Sequence, residues 1–176
     1  MTLSRDAGTQ QEIVQHFADE ATEFCELIED PSALTSVQFV HKSADLLVTL
    51  YQVGLALPEL DAADEIVAQQ VTLKPDAHLY PQVAEKLGKH NTYWQLPDPY
   101  DHGVPTAGDL AEDLTEIYSE LKTGLLAFNK GAEEDILLSI WHWKFFFMVH
   151  WGGHTVDALR ALHALIANNL MSDQHL

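Results

Sequence analysis

Apolar residues recur at intervals of three and four along most of this sequence, a spacing that is typical of amphipathic helices. One such segment covers residues 10–30 and ends at Pro31, since the residue before a proline rarely continues a helix. A second segment covers residues 32–57, with Ser32 as a candidate N-cap, and stops before Pro58. The apolar positions of this second segment lie on several sides, so we expect a largely internal helix in a bundle.

Further along the chain, short helices are predicted at 62–71 and 81–87, the second of which ends at Gly88. Residues 88–108 are rich in Pro, Gly and aromatic residues and lack periodicity, which indicates a long loop. This loop is interpreted either as a packed connector or as a lid over a binding site. The helical period returns over residues 109–128.

The last long helical segment, from Trp141 to His163, contains three of the four tryptophans and four of the ten histidines. At about 100° per residue its apolar residues cover nearly half of the helix surface, and a helix that is apolar nearly all round is a buried one. These residues are Trp141, Phe145, Met148, Val149, Trp151, Val156, Leu159 and Leu162. Gly152 and Gly153 lie in the interior, where glycine is unfavourable unless close packing, a kink or the approach of a ligand compensates. The length of the helical segment favours a bend at these glycines.

Together these segments predict an all-α, single-domain helical bundle with a long, mostly buried C-terminal helix. The single domain is expected to cover residues 10–170, with frayed termini at 1–9 and 171–176. No run of alternating apolar and polar residues indicates a β-strand.

Composition narrows the classes of function. The chain has 176 residues, 27 acidic against 9 basic, and a formal net charge of −18. Such a surface repels nucleic acid and anionic membranes, so neither partner is expected. The single Cys25 lies at helical spacing among apolar residues and is interpreted as a buried hydrophobe. No secretory signal is recognised and the longest apolar run, residues 145–149, is too short to cross a bilayer, so we expect a cytoplasmic protein.

Candidate chemistry is concentrated on the opposite side of the Trp141–His163 helix. One arc of about 120° collects the polar residues of this helix, and a metal site is the first interpretation. His150 and His154 are four residues apart and Asp157 follows three residues later, which is a spacing that allows two imidazoles and a carboxylate to bind a divalent metal. Asp113, Glu116 or Glu120, on the preceding acidic helix, would supply a further oxygen ligand if the two helices are antiparallel neighbours. The pattern lacks the glutamate of H-E-x-x-H metalloproteases, because Trp151 stands in that position.

The second interpretation is a buried network of polar side chains. Asp157 would pair with Arg160, and the histidines, including His142, would pair with carboxylates of the acidic helix. The third interpretation is an anionic-ligand pocket that uses Arg160 and the histidines. Glu116 and Glu120 are assigned to the polar seam or ligand pocket of these two interpretations.

The chain also resembles a known family in two runs of sequence. The first is G-D-L-A-E-D-L-T-E-I-Y-S-E-L-K-T-G-L from Gly108, and the second is W-H-W-K-F-F-F-M-V-H-W-G-G-H-T-V-D-A-L-R-A-L-H. Both are similar to the bacterial family of uncharacterised proteins called domain of unknown function 5063. The resemblance implies an all-helical cytosolic protein without an established activity. The positions that match are Asp113, Glu116, Tyr118, His150, Trp151, Gly152, His154, Asp157, Arg160 and His163, while Glu112 and Glu116 stand where aspartate is more usual.

The sequence therefore favours a noncatalytic ligand-binding or interaction protein with a buried His, Asp and Arg seam, acting on a small ligand or a protein partner, with homo-oligomerisation as an option. The alternative is a metal-dependent, hydrolase-like enzyme that uses a divalent metal at His150, His154, Asp157 and Asp113.

Overall fold

A computed structural model describes residues 3–60, 77–96, 100 and 102–171, with side chains from Gly8 onward. The described residues form six α-helices and one small antiparallel sheet. These elements are α1 (Leu3–Glu29), α2 (Ser36–Ala56), α3 (Leu79–Leu87), β1 (Thr92–Gln95), β2 (Thr106–Asp109), α4 (Leu110–Phe128), α5 (Glu133–Phe146) and α6 (Gly152–Ala167). The predicted helical bundle is confirmed. The helix predicted at 62–71 lies outside the described residues.

Both N-terminal helices differ from their predicted limits. Helix α1 begins at Leu3, whereas the periodicity predicts a start at Gln10, because residues 8–12 are exposed and therefore give no apolar pattern. Helix α2 is capped by Thr35, not by Ser32. Thr35 Oγ1 accepts from the Gln38 backbone N–H at 3.2 Å and the Gln38 side chain accepts from the Thr35 N–H at 2.9 Å, which is a complete capping box.

The segment between α3 and α4 is not wholly irregular, and the prediction that the chain has no strand is wrong here. Strands β1 and β2 pair in antiparallel register, with Thr92 opposite Asp109 and Gln95 opposite Thr106. Four residues per strand are too few for a recognisable alternation. Gly108 is required beside Tyr93, because a Cβ at residue 108 would come within 2.5 Å of the tyrosine ring.

The core of the bundle is built from helices α1, α2 and α4 and the inner face of the C-terminal helix. The rings of Trp143 and Trp151 are both fully buried and lie 4.9 Å and 5.8 Å from the Phe17 ring. Trp143 Nε1 donates to the Leu121 carbonyl at 3.1 Å, so its polar atom is satisfied inside the core. This indole occupies the space beside Gly124, where any Cβ would clash with it.

Residues 133–167 continue through α5 and α6 without a loop, as the sequence predicts for the C-terminal helix. The predicted kink region contains a π-helical turn at Phe147–Trp151. Gly152 follows directly, and a Cβ there would meet the Phe147 carbonyl oxygen. By contrast, a Cβ at Gly153 would enter open space. Gly152 therefore permits the wide π turn, which inserts an extra residue into the helix.

The burial expected for this helix is correct on one side and wrong on the other. Trp151 and Leu162 are fully buried, but Phe145, Met148, Val149 and Val156 are 44–66% exposed. Between residues 138 and 159, these four side chains and Gly153 are the residues of the helix that face solvent. We call them the apolar ridge: Phe145, Met148, Val149, Gly153 and Val156. The polar arc is turned inward against α4, and among the described elements no helix covers the ridge.

Across the parts of the chain described, no helix combines the length and the hydropathy that a bilayer span requires.

Candidate functional site

Helix α4 supplies two buried carboxylates to the interface with the C-terminal helix. Asp113 and Glu120 are 5% and 9% exposed and lie seven residues apart, two turns along one face. The helix begins after Asp109, whose side chain accepts from the Glu112 N–H at 3.0 Å. This cap fixes the start of α4, and so the face on which both carboxylates lie.

Glu120 lies between two histidines of the C-terminal helix. Its Oε2 atom is 3.0 Å from His142 Nε2, and its Oε1 atom is 2.9 Å from His150 Nδ1. The contact with His150 has the alignment of a hydrogen bond, whereas the buried His142 Nε2 is at ion-pair distance without that alignment. Burial alone would raise the pKa of Glu120, but the close approach of His142 and His150 to its two oxygens outweighs burial and lowers that pKa.

Asp113 is held in a similar way by one histidine and one tyrosine. Its Oδ1 atom is 2.8 Å from His154 Nδ1, and its Oδ2 atom accepts from the Tyr93 hydroxyl at 2.6 Å. The hydrogen bond that His154 donates to Asp113 raises the pKa of His154, against the opposing effect of burial. Burial and the Asp113 carboxylate raise the pKa of Tyr93, so the tyrosine stays a hydrogen-bond donor.

The predicted pair of Asp157 and Arg160 is not formed. Arg160 is exposed, and its Nη2 atom donates to the Trp94 carbonyl of β1 at 2.8 Å. Asp157 accepts from the Gln95 side-chain amide, whose nitrogen lies 2.9 and 3.1 Å from the two carboxylate oxygens. Burial, with the nearby Asp113 charge, raises the pKa of Asp157. The Arg160 guanidinium therefore binds the β1–β2 hairpin and not a residue of its own helix.

The four predicted metal ligands are divided among different partners. His154 and Asp113 come together, while His150 contacts Glu120 and Asp157 contacts Gln95. Among residues 3–60, 77–96 and 102–171, no three His, Cys, Asp or Glu side chains are grouped as a metal ion would require. The other matched positions lie elsewhere: Glu116 is half-buried on α4, and Tyr118 donates to Glu29 of α1 at 2.8 Å.

Sequence reasoning missed Tyr93 and Gln95, which both reach the site from β1. They stand at alternate positions of the strand and share the face turned toward the helices. The only signal in the sequence was the aromatic content of residues 88–108. It indicated that this segment packs against the bundle, but it did not indicate which residues it contacts.

The arrangement fixes two adjacent imidazole rings. The His150 and His154 rings meet edge to face at 4.9 Å, and a buried carboxylate holds the Nδ1 atom of each. Since ionised carboxylates only accept, each Nδ1 carries the proton. Within the described part of the chain neither Nε2 atom has a protein partner, and the side chains are 36% and 30% exposed. The seam, which comprises Asp113, Glu120, His142, His150, His154 and Asp157, thus satisfies its carboxylates and leaves two imidazole nitrogens at its edge.

This fold and this seam define a class: a mostly helical, single-domain protein with carboxylate-held histidines between its last long helices. The family model described as domain of unknown function (DUF5063) matches residues 9–168, and the chain belongs to this family.

One solved structure has the same architecture. The crystal structure of protein BF1032 from Bacteroides fragilis is similar over 87% of this chain and 91% of that chain, with 25% sequence identity and a TM-score of 0.72. No curated protein matches the chain.

Proposed function

We propose that this chain is a noncatalytic interaction protein that pairs with a second copy of itself through the apolar ridge. One observation carries the proposal: over 22 consecutive residues of the C-terminal helix, from 138 to 159, no exposed residue is charged. In a chain of net charge −18, such a face is the part of the surface on which two copies repel each other least.

The spacing of the ridge suits an antiparallel contact about a two-fold axis. Val149 and Val156 lie at equal distances along the sequence from the Gly152–Gly153 peptide bond. A copy running in the opposite direction would place Val149 against Val156 and Phe145 against Arg160, an aromatic ring against a cation. The open space at Gly153 would let the two backbones approach closely.

The state of the seam supports a noncatalytic role. Both oxygens of Asp113 and both oxygens of Glu120 already have protein partners, so neither carboxylate is available as a base. The pKa of Glu120 is lowered, whereas a general acid at neutral pH requires a raised one.

The ridge is small, and its size sets the expected affinity. Its four side chains expose on the order of 100 Å² each, whereas each partner in a stable complex contributes roughly 800 Å². The ridge would therefore form the centre of a weak, reversible interface, and we expect a dissociation constant in the micromolar range, about 10–100 μM.

Sedimentation equilibrium tests the pairing. We expect the unmodified chain to form dimers at about 100 μM and the double variant Val149→Asp, Val156→Asp to remain monomeric with unchanged circular dichroism. Val104→Asp is the matched control, because Val104 is 81% exposed outside the C-terminal helix. A monomeric wild type up to several hundred micromolar would overturn the proposal.

The two-fold geometry has its own test. Gly153→Cys should form an intermolecular disulfide rapidly under mild oxidation, since the two thiols would face each other near the axis. The exposed Ala164→Cys should not cross-link at a comparable rate. Equal rates for the two variants would contradict the antiparallel arrangement.

A metal-dependent, hydrolase-like enzyme is the second candidate, favoured by the two histidines held through Nδ1. Histidines that bind metals usually donate their other ring nitrogen to a carboxylate in this way. Elemental analysis of tag-free protein and thermal shifts with Zn, Mn, Ni and Fe test it, with His154→Gln as the variant that should lose any shift. No stoichiometric metal and no shift would remove this candidate.

A further inference from the structure

A second, separate feature lies at the junction of α2 and α5. An open cavity of about 230 Å³ is lined by Glu59, Leu60, Trp141, Lys144, Phe145 and Met148. The Trp141 and Phe145 rings stack at 5.0 Å with an angle of 11° between their planes, so a pair of aromatic rings lines the cavity. Most of the residues that line the cavity are apolar, and Lys144 contributes a positive charge to the lining.

Lys144 is unusual because it is a buried cation, only 8% exposed. Its Nζ atom donates to the Leu55 carbonyl at 3.0 Å and to the Gly54 carbonyl at 3.3 Å, at the C-terminal end of α2. It also lies 5.6 Å from the centre of the Phe147 ring. These contacts use two of the three ammonium protons.

In the described part of the chain, the charge of Lys144 has no carboxylate partner. Within the part of the chain that the structure describes, no acidic oxygen lies within 4.0 Å of this ammonium, even though acidic residues outnumber basic ones by three to one. A buried charge normally pairs with an opposite charge, because its desolvation is otherwise uncompensated. Helix-end carbonyls and one aromatic face supply only partial negative charge.

We propose that this cavity binds a monocarboxylate with a compact apolar tail. The carboxylate would accept the third proton of Lys144 and supply the missing negative charge. The tail would lie on the stacked rings of Trp141 and Phe145 and against Met148. A closed cavity of 150 Å³ holds a benzene ring, so this open cavity of about 230 Å³ has room for an apolar tail at least as large as that ring. The Glu59 carboxylate also lines the cavity and would repel a second carboxylate on the ligand, which selects against dicarboxylates.

This inference does not require the proposed dimer, although the two surfaces share residues. Phe145 and Met148 belong both to the ridge and to the cavity, but Lys144 and Trp141 belong to the cavity alone, while Val149 and Val156 belong to the ridge alone. Binding is therefore measured in the Val149→Asp, Val156→Asp variant as well as in the wild type. A loss of pairing with intact binding would separate the failure of one proposal from that of the other.

The test uses octanoate as the probe and octanamide as its uncharged isostere, in isothermal titration calorimetry. We expect octanoate to bind the wild type at least tenfold more tightly than octanamide. Lys144→Met should remove this tenfold preference while leaving octanamide binding unchanged. Lys130→Met, which changes an exposed lysine, is the control for net charge and should leave the preference intact.

A second readout does not depend on the folding of the lysine variant. A brominated octanoate should quench tryptophan fluorescence in the wild type, and Trp141→Phe should remove most of that quenching. Equal binding of octanoate and octanamide, no octanoate binding up to about 5 mM, or quenching that survives in Trp141→Phe would each overturn the proposal.

Discussion

The Glu120 carboxylate is the residue on which most of the seam depends, since it holds one buried and one half-exposed histidine of the neighbouring helix. Glu116 lies one turn away on the same helix, is half-buried, and makes no hydrogen bond or ion pair with a histidine among the described residues. This pair of glutamates allows the contribution of the seam to be separated from a general effect of charge.

We expect Glu120→Gln to lower the free energy of unfolding by about 2 kcal/mol or more, because the amide keeps only one of the two carboxylate oxygens that face His142 and His150. Glu116→Gln should change it by less than about 0.5 kcal/mol. Urea denaturation of the two variants checks this. Similar values for both would show that the seam does not stabilise the fold.

Arg160 contributes less to stability than it would if it paired with Asp157. The guanidinium is exposed and donates to one backbone carbonyl, so its removal leaves no buried carboxylate without a partner. The sequence indicated correctly that a histidine would meet a carboxylate of the acidic helix. It could not indicate that strand β1 would contact the other two polar residues of the helix. Gln95 donates to Asp157, and the Trp94 carbonyl accepts from Arg160.

Cys25 gives a prediction for pH. Burial, assisted by Glu29 and Glu26 against the opposing charge of Lys122, raises the pKa of this thiol from 9.0 to about 12. The folded chain therefore holds the thiol proton more tightly than the unfolded chain, so stability decreases as pH rises from about 9 to about 12. At pH 8 we expect no reaction of the native protein with a disulfide reagent and full reaction in denaturant. Rapid labelling of the native chain would contradict the buried position.

At the scale of the elements, periodicity predicted the four long helical segments because each has at least one face in the core. It failed for β1 and β2, since strands of four residues on a surface hairpin carry almost no pattern. It also assigned Phe145, Met148, Val149 and Val156 to the interior. Hydrophobicity shows which side chains gain from burial, but it does not show which face of a helix has a neighbour.

The two adjacent glycines of the C-terminal helix should respond in opposite ways to the same change. We expect Gly152→Ala to lower the melting temperature by several degrees, because its methyl group would clash with the Phe147 carbonyl oxygen. Gly153→Ala meets open space, and alanine favours the helix, so its melting temperature should rise or stay unchanged. Equal effects at the two positions would show that the π turn does not require glycine.

At the scale of the whole molecule, the repulsion between the net charges of the two copies opposes the proposed pairing. Each copy carries a formal charge of −18, and salt screens this repulsion over a Debye length of about 10 Å at 0.1 M. We therefore expect the dimer to tighten severalfold between 50 mM and 500 mM NaCl, as measured by sedimentation equilibrium. A dimer that weakens with salt would indicate an interface held by ion pairs, and not by the apolar ridge.

The π turn at Phe147–Trp151 means that the C-terminal helix contains one residue more than a regular α-helix of the same length. The extra residue is therefore equivalent to a one-residue insertion into a regular α-helix. Deleting Met148 would let an uninterrupted α-helix join α5 to α6 with the seam still in phase. Forcing the present sequence into a regular α-helix would instead rotate α6 by about 100° relative to α5 and carry His154 away from Asp113. A loss of Met148 or Val149 would therefore preserve the site, whereas a loss of His150 from the same turn would remove one of its residues.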